Sequence, residues 1–187
     1  MTYINKVNGK RLYLSISKKE DISLYNKWLN DPELNLGFGK SHNIHTEERQ
    51  QQYIDDYNNS DDKFLFPIIL KETQEPIGIL LLYDICYIHG NGTLAILIDQ
   101  KHQAKGHGKE AINLLLEFAF NILNLNNIML YVIEFNKNAI KAYTDLGFQT
   151  IGRRRNSYHI NNQSYDEIYM DILKTEYNQK KNSEIKS

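Results

Sequence analysis

Residues 103–109 read Gln-Ala-Lys-Gly-His-Gly-Lys and lie between an apolar strand pattern, Leu94 to Ile98, and a long apolar helix pattern, Glu110 to Leu123. Glycine lets backbone N–H groups come close to an anion. The first turn of a helix leaves such donors without partners inside the helix, and the helix dipole adds about half a positive charge at that end. The stretch therefore predicts a phosphate-binding loop at the start of a buried helix.

The apolar patterns around this loop predict a mixed α/β fold. Strands are expected at 10–16, 64–70, 77–84, 93–99, 128–133, 148–159 and 164–173, and helices at 17–30, 46–57, 138–146 and after Gly106. The turns at 73–76 and 90–92 are short, which makes the three middle strands an antiparallel meander. A capping box at Ser17 and Glu20 is expected to start the first helix. Residues 34–45 are expected to form a loop, and the tail from Asn178 to be disordered.

Composition bounds the class of protein. The 187 residues fit one domain, and near-balanced charges (22 basic, 23 acidic) argue against a general nucleic-acid binder. The single cysteine, Cys86, excludes an internal disulfide and fits a reducing compartment. No apolar run approaches the ~18–20 residues of a membrane span, and the six histidines lack metal-ligand spacing. We therefore expect one cytoplasmic domain over residues 1–177, with no nucleic-acid, membrane or metal partner.

Two other nucleotide-binding patterns compete for the glycines. A Walker A loop is suggested by residues 39–41, but that pattern requires glycine at position 34, which is leucine. The dinucleotide fingerprint G-x-G-x-x-A fits residues 106–111, with Glu134 near the place of a ribose-binding acid. That fingerprint needs a glycine directly after a strand and parallel neighbouring strands, whereas the upstream strands look hairpin-connected. A turn before a core helix, with no ligand, is the remaining alternative.

Two spaced motifs together resemble the GNAT superfamily of acetyl-CoA-dependent N-acetyltransferases. The first is Q-x-x-G-x-G at residues 103–108, and the second is N-x-x-A-x-x-x-Y-x-x-x-G-F at 136–148. The resemblance covers about residues 10–175 in element order and implies a mostly antiparallel sheet of about seven strands with about four helices. The segment 120–125 and the final hairpin resemble the branch of spermidine/spermine and Rim-type ribosomal-protein N-terminal acetyltransferases.

The resemblance implies acetyl-CoA as co-substrate and carries cofactor contacts over to this sequence. The strand backbone before the loop would pair with the pantetheine arm and offer an N–H to the thioester oxygen. Asn136 would contact the cofactor, a role compatible with capping the following helix. Ala104 stands where glycine is frequent in this branch. The implied cofactor-binding residues are Ile96, Leu97, Ile98, Gln103, Ala104, Lys105, Gly106, His107, Gly108, Lys109 and Asn136.

The catalytic expectations also come from the resemblance. Tyr143 matches the tyrosine that many members use as a general acid toward the leaving thiolate, because a phenol stays protonated at neutral pH. A core aromatic is its alternative. Spermidine-type relatives carry acids on two central strands; Asp84 occupies one such position and Thr93 the other. Asp84 is expected to bind or deprotonate the amine, or only to cap a strand, and Glu33 to favour a cationic substrate.

The expected function is transfer of an acetyl group from acetyl-CoA to a primary amine. A small cationic amine such as a polyamine is the first candidate. A protein N-terminus and a non-catalytic CoA-binding sensor are the alternatives. The partner is accordingly a small-molecule amine or a peptide N-terminus, and a homo-oligomer stays open.

Overall fold

The computed structural model describes residues 3–38 and 44–186, and within them it contains eight strands and six α-helices. The strands are β1 (Val7–Asn8), β2 (Leu12–Leu14), β3 (Phe64–Leu70), β4 (Pro76–Cys86), β5 (Asn91–Ile98), β6 (Asn127–Ile133), β7 (Gln149–Ile160) and β8 (Gln163–Leu173). The helices are α1 (Ile22–Asn30), α2 (Pro32–Phe38), α3 (Glu47–Asn58), α4 (His107–Glu117), α5 (Lys137–Leu146) and α6 (Lys174–Lys186). Short 3-10 turns cover Lys19–Asp21 and Gln100–His102, and a π-helical turn, Phe118–Ile122, extends α4.

One mixed sheet organises the chain, in the order β1-β2-β3-β4-β5-β6-β8-β7. All neighbouring strands are antiparallel except β5 and β6. That parallel pair extends only from Asn91–Thr93 on β5 to Asn127–Met129 on β6. Beyond this short contact the two strands are unpaired with each other, and a cleft lies between them. The mixed, mostly antiparallel fold is thus confirmed, with one strand and two helices more than expected.

The nearly continuous apolar run of β4 is explained by burial on both faces of the sheet. Leu80 and Leu82 belong to the cluster that packs beneath α4, whereas Ile79 and Leu81 belong to a second cluster with α1 and α3. Successive side chains of a strand point to opposite faces, so one strand joins both cores. This two-sided packing fixes β4 and its neighbour β5, and hence one wall of the cleft.

The prediction of a loop at 34–45 is wrong for residues 34–38, because these residues belong to α2, which ends at Phe38. Pro32 stands at the first helical position, where its missing N–H costs nothing. The Asp31 carboxylate accepts hydrogen bonds from the N–H groups of Glu33 (2.9 Å) and Leu34 (3.2 Å), as a helix cap does. Residues 39–43 of the predicted loop, with the Walker-like glycine, lie outside the described residues.

Three other boundaries differ from the sequence prediction. The strand expected at 10–16 is present but shorter, as β2 (Leu12–Leu14), because the preceding residues turn in a hairpin with β1 in which the Gly9 N–H bonds to the Leu12 carbonyl at 3.0 Å. Ser17 caps no helix; a 3-10 turn precedes α1, and the Ser17 hydroxyl lies 3.5 Å from the Leu65 carbonyl. The tail from Asn178, expected to be disordered, belongs to α6. The Lys180 ammonium donates to the Asp145 carbonyl at 2.6 Å, which docks this helix.

Within residues 3–38 and 44–186, no helix combines the length and apolarity needed to cross a membrane.

Gly78→Ala is expected to lower the free energy of unfolding by about 2–3 kcal/mol, because of overpacking between β4 and β5. An added Cβ would lie 2.3 Å from the Leu97 carbonyl oxygen and 3.0 Å from the Ile98 Cα. Denaturant unfolding of the variant measures the loss. Gly152→Ala is the matched control, since nothing lies within 4 Å of its added Cβ. Equal stability of the two variants would show that β4 and β5 are not packed as described.

Candidate functional site

A cleft of about 890 Å³ opens where β5 and β6 separate. Its walls come from both strands, the loop after β5, the first turn of α4, and from α2, α3 and α5. The cleft therefore joins elements that are far apart in sequence. The residues selected from the sequence that line it are Glu33, Ile96, Leu97, Ile98, Gln103, Ala104, Gly106, Gly108, Lys109, Asn136 and Tyr143. Lys105, His107 and Asp84 are not part of the lining.

The loop after β5 turns the chain sharply into α4. Ala104 and Gly106 both have left-handed backbones, with φ of +56° and +78°. This conformation favours glycine, which explains why glycine is common at the position of Ala104. The Gln103 side chain donates to the Ile98 carbonyl at 2.9 Å and closes the turn onto the end of β5. The N–H groups of the first α4 turn begin at His107, as an anion site at a helix N-terminus requires.

The side chains of His107 and Lys109 are held by the surrounding protein. The His107 ring is buried with its Nδ1 unpaired, and burial, then the nearby Arg11 guanidinium, lowers its pKa. The Lys109 ammonium pairs with the Asp145 carboxylate at 2.6 Å and links α4 to α5. The contribution of His107 to an anion site is thus limited to its backbone N–H.

An arginine that the sequence analysis missed holds the loop from behind. The Arg11 guanidinium donates to the Lys105 carbonyl at 2.9 Å and to the Glu110 carboxylate at 2.7 Å. The same carboxylate accepts the backbone N–H of Arg11 at 2.7 Å. Arg11 therefore ties the β1–β2 hairpin to both the loop and the first turn of α4. Arg11 and Glu110 are 99 residues apart in the chain, so no short sequence motif indicates their contact.

Glu110→Gln is expected to make the free energy of unfolding fall less steeply as the pH is lowered. Burial raises the pKa of Glu110, but hydrogen bonds from Arg11 and Leu12 outweigh it and place that pKa below its ordinary 4.5. A carboxyl whose pKa is lower in the folded than in the unfolded state stabilises the fold at pH values above its unfolded-state pKa. This contribution is lost as the pH falls through the folded-state pKa. Between pH 6 and pH 3 the parent chain should lose about 1–2 kcal/mol more than the variant.

Denaturant melts at stepped pH measure this difference. The exposed Glu72→Gln is the control, because it removes the same charge from the surface. If the parent chain and Glu110→Gln lose the same unfolding free energy between pH 6 and pH 3, the Glu110 carboxylate does not stabilise the contact between the hairpin and α4.

Asn136 caps α5 and at the same time lines the cleft. Its Oδ1 accepts the Ala139 N–H at 3.2 Å. Its Nδ2 faces α2, since a Cβ added to Gly37 would lie only 2.8 Å from that nitrogen. Gly37 thus lets α2 cross close to the start of α5, and the two roles considered for Asn136 are compatible.

Tyr143 projects from α5 into the cleft beside Phe148, with the ring centroids 6.0 Å apart. The ring is half-buried, and burial raises the pKa of its hydroxyl to about 12. Tyr143 therefore keeps its proton at neutral pH, so its hydroxyl is able to donate a proton but not to act as a base. The position of the ring on this face of α5 is compatible with both a catalytic role and a role as a core aromatic.

The two acids selected from the sequence have different positions. Asp84 is exposed and left-handed (φ +52°), at an irregularity of the β4–β5 ladder between Tyr83 and Cys86. Asp84 is absent from the lining of the cleft, whereas its neighbour Tyr83 is part of it. Glu33 does line the cleft, and its carboxylate accepts a hydrogen bond from the Gln100 side chain at 3.1 Å.

The dinucleotide alternative does not fit the structure. The strands before the loop are antiparallel, whereas that fold needs parallel neighbours. The Glu134 carboxylate accepts the Asp166 N–H at 3.0 Å and pairs with Arg153 at 3.3 Å, so it braces the β7–β8 hairpin. Among the described residues, no three His, Cys, Asp or Glu side chains are grouped as metal ligands would be.

Four tyrosines on the cleft wall were not selected from the sequence. Tyr53 and Tyr57 lie on α3, Tyr83 on β4 and Tyr131 on β6, and we call them the tyrosine cluster. The spacing of Tyr53 and Tyr57 by four places them on one helix face, which was the only local signal. Their meeting with Tyr83 and Tyr131 depends on the sheet order.

Comparisons with known proteins agree with this geometry. The chain matches the family described as "Acetyltransferase (GNAT) domain" over residues 14–169. It is 33% identical to a spermidine N(1)-acetyltransferase of Vibrio cholerae over 132 residues, covering 70% of this chain and 73% of the relative. A spermidine N(1)-acetyltransferase of Escherichia coli is 32% identical over 103 residues, 55% of each chain.

A solved structure has the same fold at similar sequence identity. It is the spermidine N-acetyltransferase of Vibrio cholerae in complex with CoA and spermine, with a TM-score of 0.83 and 25% identity. The superposition covers 89% of this chain and 98% of that one.

Proposed function

The chain belongs to the GNAT acetyltransferase family, and we propose that it transfers the acetyl group of acetyl-CoA to a primary amine of a polyamine. One observation carries the proposal: a single cleft contains the glycine loop, the unpaired stretch of β5 and the Tyr143 hydroxyl. The spermidine acetyltransferases to which the chain is similar support the choice of acceptor.

The residues of the loop fit a diphosphate. Gly106 and Gly108 present no side chain to the cleft, and the first-turn N–H groups of α4 supply donors to an anion. We assign the binding of the pyrophosphate of CoA to the backbone of residues 103–109. The β5 backbone from Ile96 to Ile98, which has no partner strand on the cleft side, would pair with the pantetheine arm.

The proposed reaction is direct attack in a ternary complex. The amine nitrogen forms a bond to the thioester carbonyl carbon, and the carbon–sulfur bond breaks. A β5 backbone N–H stabilises the charge on the carbonyl oxygen. Tyr143 gives its proton to the leaving thiolate, and the proton that the attacking nitrogen loses as the amide forms returns to the Tyr143 phenolate through cleft water. An ordinary primary ammonium has a pKa of about 10.4, so the amine must lose a proton first. Because Asp84 lies outside the cleft, we assign this step to cleft water.

A substrate panel tests the function. Thiol release from acetyl-CoA is measured with spermidine, spermine, an amino sugar, an aminoglycoside and a peptide with a free N-terminus. We expect release with the polyamines at a kcat/KM at least about tenfold above the other acceptors. Thiol release with the peptide alone would contradict polyamine acetylation and support acetylation of protein N-termini. CoA binding without release for any amine would favour a CoA-binding sensor.

Three further properties belong to the same proposal. The single Cys86 supports a cytoplasmic location. The extent of the family match, residues 14–169, supports a single acetyltransferase domain, on which helix α6 is docked. We also propose that the chain associates into a homo-oligomer, which light scattering of the purified protein tests by measuring its molar mass.

A further inference from the structure

The tyrosine cluster lies at the narrow end of the cleft. Tyr83 pairs with Thr93 at the last contact before β5 and β6 separate, and Tyr131 follows Met129 at the same point on β6. The phosphate loop begins after Ile98, about 17 Å further along β5 at 3.3 Å per residue. A CoA molecule bound by the loop therefore extends its thiol end toward the tyrosines. The acceptor amine must meet it there.

The wall at this end is aromatic and uncharged. The rings of Tyr53 and Tyr57 lie 4.7 Å apart, and their hydroxyls share a hydrogen bond of 3.1 Å. The neighbouring Tyr131 hydroxyl adds to burial in raising the pKa of Tyr83. Burial raises the pKa of Tyr53, Tyr57 and Tyr83, so these groups stay neutral. The cluster thus offers ring faces, not negative charge, to a bound acceptor.

Carboxylates are scarce on the lining of the cleft. Among the described residues that line it, Glu33 is the one acid, and it bonds to Gln100 near the loop end. Asp56 and Asp84 are outside the lining, although each contributes to raising the pKa of a nearby tyrosine, Tyr57 and Tyr83 respectively. The Asp56 charge is compensated by the Lys63 ammonium, and Asp84 is exposed, so neither acid forms an ion pair in the cleft.

A cation already stands over one ring of the cluster. The Lys63 ammonium lies 5.5 Å from the centroid of the Tyr57 ring, while it pairs with the Asp56 carboxylate. This separation is within the roughly 6 Å of a favourable cation–π contact. The neighbouring apolar lining of Leu81, Leu94 and Ala95 suits a methylene chain.

We propose that the tyrosine cluster binds a second ammonium group of the acceptor through its ring faces, which selects an aliphatic diamine or polyamine over a monoamine. This inference rests on the proposed function, since it concerns the acceptor end of the same cleft. Tyr131 is the most accessible member, with 37% of its surface exposed. It acts as a specificity-determining residue that contacts the substrate chain.

Steady-state kinetics with 1,5-diaminopentane and pentylamine test the proposal, because these acceptors differ only in the second ammonium. Tyr131→Leu is expected to raise KM for the diamine about 3- to 30-fold, the usual range of a cation–π contact. The value of kcat/KM should fall at least about threefold further for the diamine than for pentylamine, because only the diamine loses a cation–π contact. Tyr131→Phe keeps the ring and should restore most of the diamine affinity. Tyr87→Leu is the control, since Tyr87 is 49% exposed and outside the cleft.

A binding measurement separates this inference from the proposed function. Hexane-1,6-bis(trimethylammonium) has no N–H donor and cannot be acetylated, so calorimetry with CoA present reports only recognition of the cation. We expect binding to the parent chain and to Tyr131→Phe, and a 3- to 30-fold weaker Kd for Tyr131→Leu. Equal Kd values, or an equal loss for diamine and monoamine in the kinetics, would overturn the inference. Absence of turnover with every amine would overturn the proposed function, while the binding result still decides the role of the cluster.

Discussion

Tyr143→Phe is expected to lower kcat about 100-fold while the Kd for CoA stays within about twofold. In the proposed reaction the Tyr143 hydroxyl donates its proton to the leaving thiolate, and its pKa of about 12 keeps it protonated through the working range of pH. Phenylalanine preserves the ring that packs near Phe148, so the fold and the cleft walls remain. Initial rates at saturating polyamine and calorimetry with CoA measure the two quantities.

Tyr87→Phe is the control for this change, because the Tyr87 hydroxyl bonds to the Asp61 carbonyl outside the cleft. The parent rate should show no decline from ionisation of Tyr143 between pH 8 and pH 10. A Tyr143→Phe variant with unchanged kcat would refute the proton-donor role and leave the ring as a core aromatic.

Gly106→Val is expected to weaken CoA binding about 30-fold or more. The residue has φ of +78°, and a β-branched side chain in that region costs about 1–3 kcal/mol. The new Cβ would also lie 3.3 Å from the Arg11 guanidinium, which holds the loop from behind. Relief of this strain moves the N–H groups that begin α4. Calorimetry measures the Kd, and thermal unfolding measures the cost to the fold.

Gly90→Val separates strain from binding. Gly90 has a similar φ of +65°, and its added Cβ would lie 3.4 Å from the Asn126 nitrogen, in a turn outside the cleft. Both variants should lose stability, but only Gly106→Val should lose affinity for CoA. If the two bind CoA equally well, the loop does not form the diphosphate site.

The parts of the fold that follow from local chemistry were predicted from the sequence. The meander of β3, β4 and β5 is read from apolar runs separated by short turns. Thr46 caps α3 by accepting the Arg49 N–H at 3.2 Å. The strands predicted at 148–159 and 164–173 leave a short gap for a turn, and there Asn161 and Asn162 have φ of +50° and +59°, the backbone of a tight hairpin turn. In each case a residue type and its neighbours determine the structure.

The parts that depend on long-range contacts were not predicted. Arg11 reaches the loop only because β2 packs beside α4, and the tyrosine cluster meets only because β6 follows β5 in the sheet. Asp84 lies outside the lining of the cleft, at an irregularity of the β4–β5 ladder that the sequence did not reveal. The candidate site was thus predictable where a motif is contiguous, and not where the sheet brings distant residues together.

The central claim is that backbone N–H groups at the start of α4 bind the diphosphate of CoA. A crystal structure of the chain with acetyl-CoA tests it most directly. We expect diphosphate oxygens within about 3.2 Å of the N–H groups of Gly106, His107 or Gly108, with the acetyl group between β5 and β6 near the tyrosine cluster. A diphosphate bound elsewhere, with this loop free of it, would contradict the account.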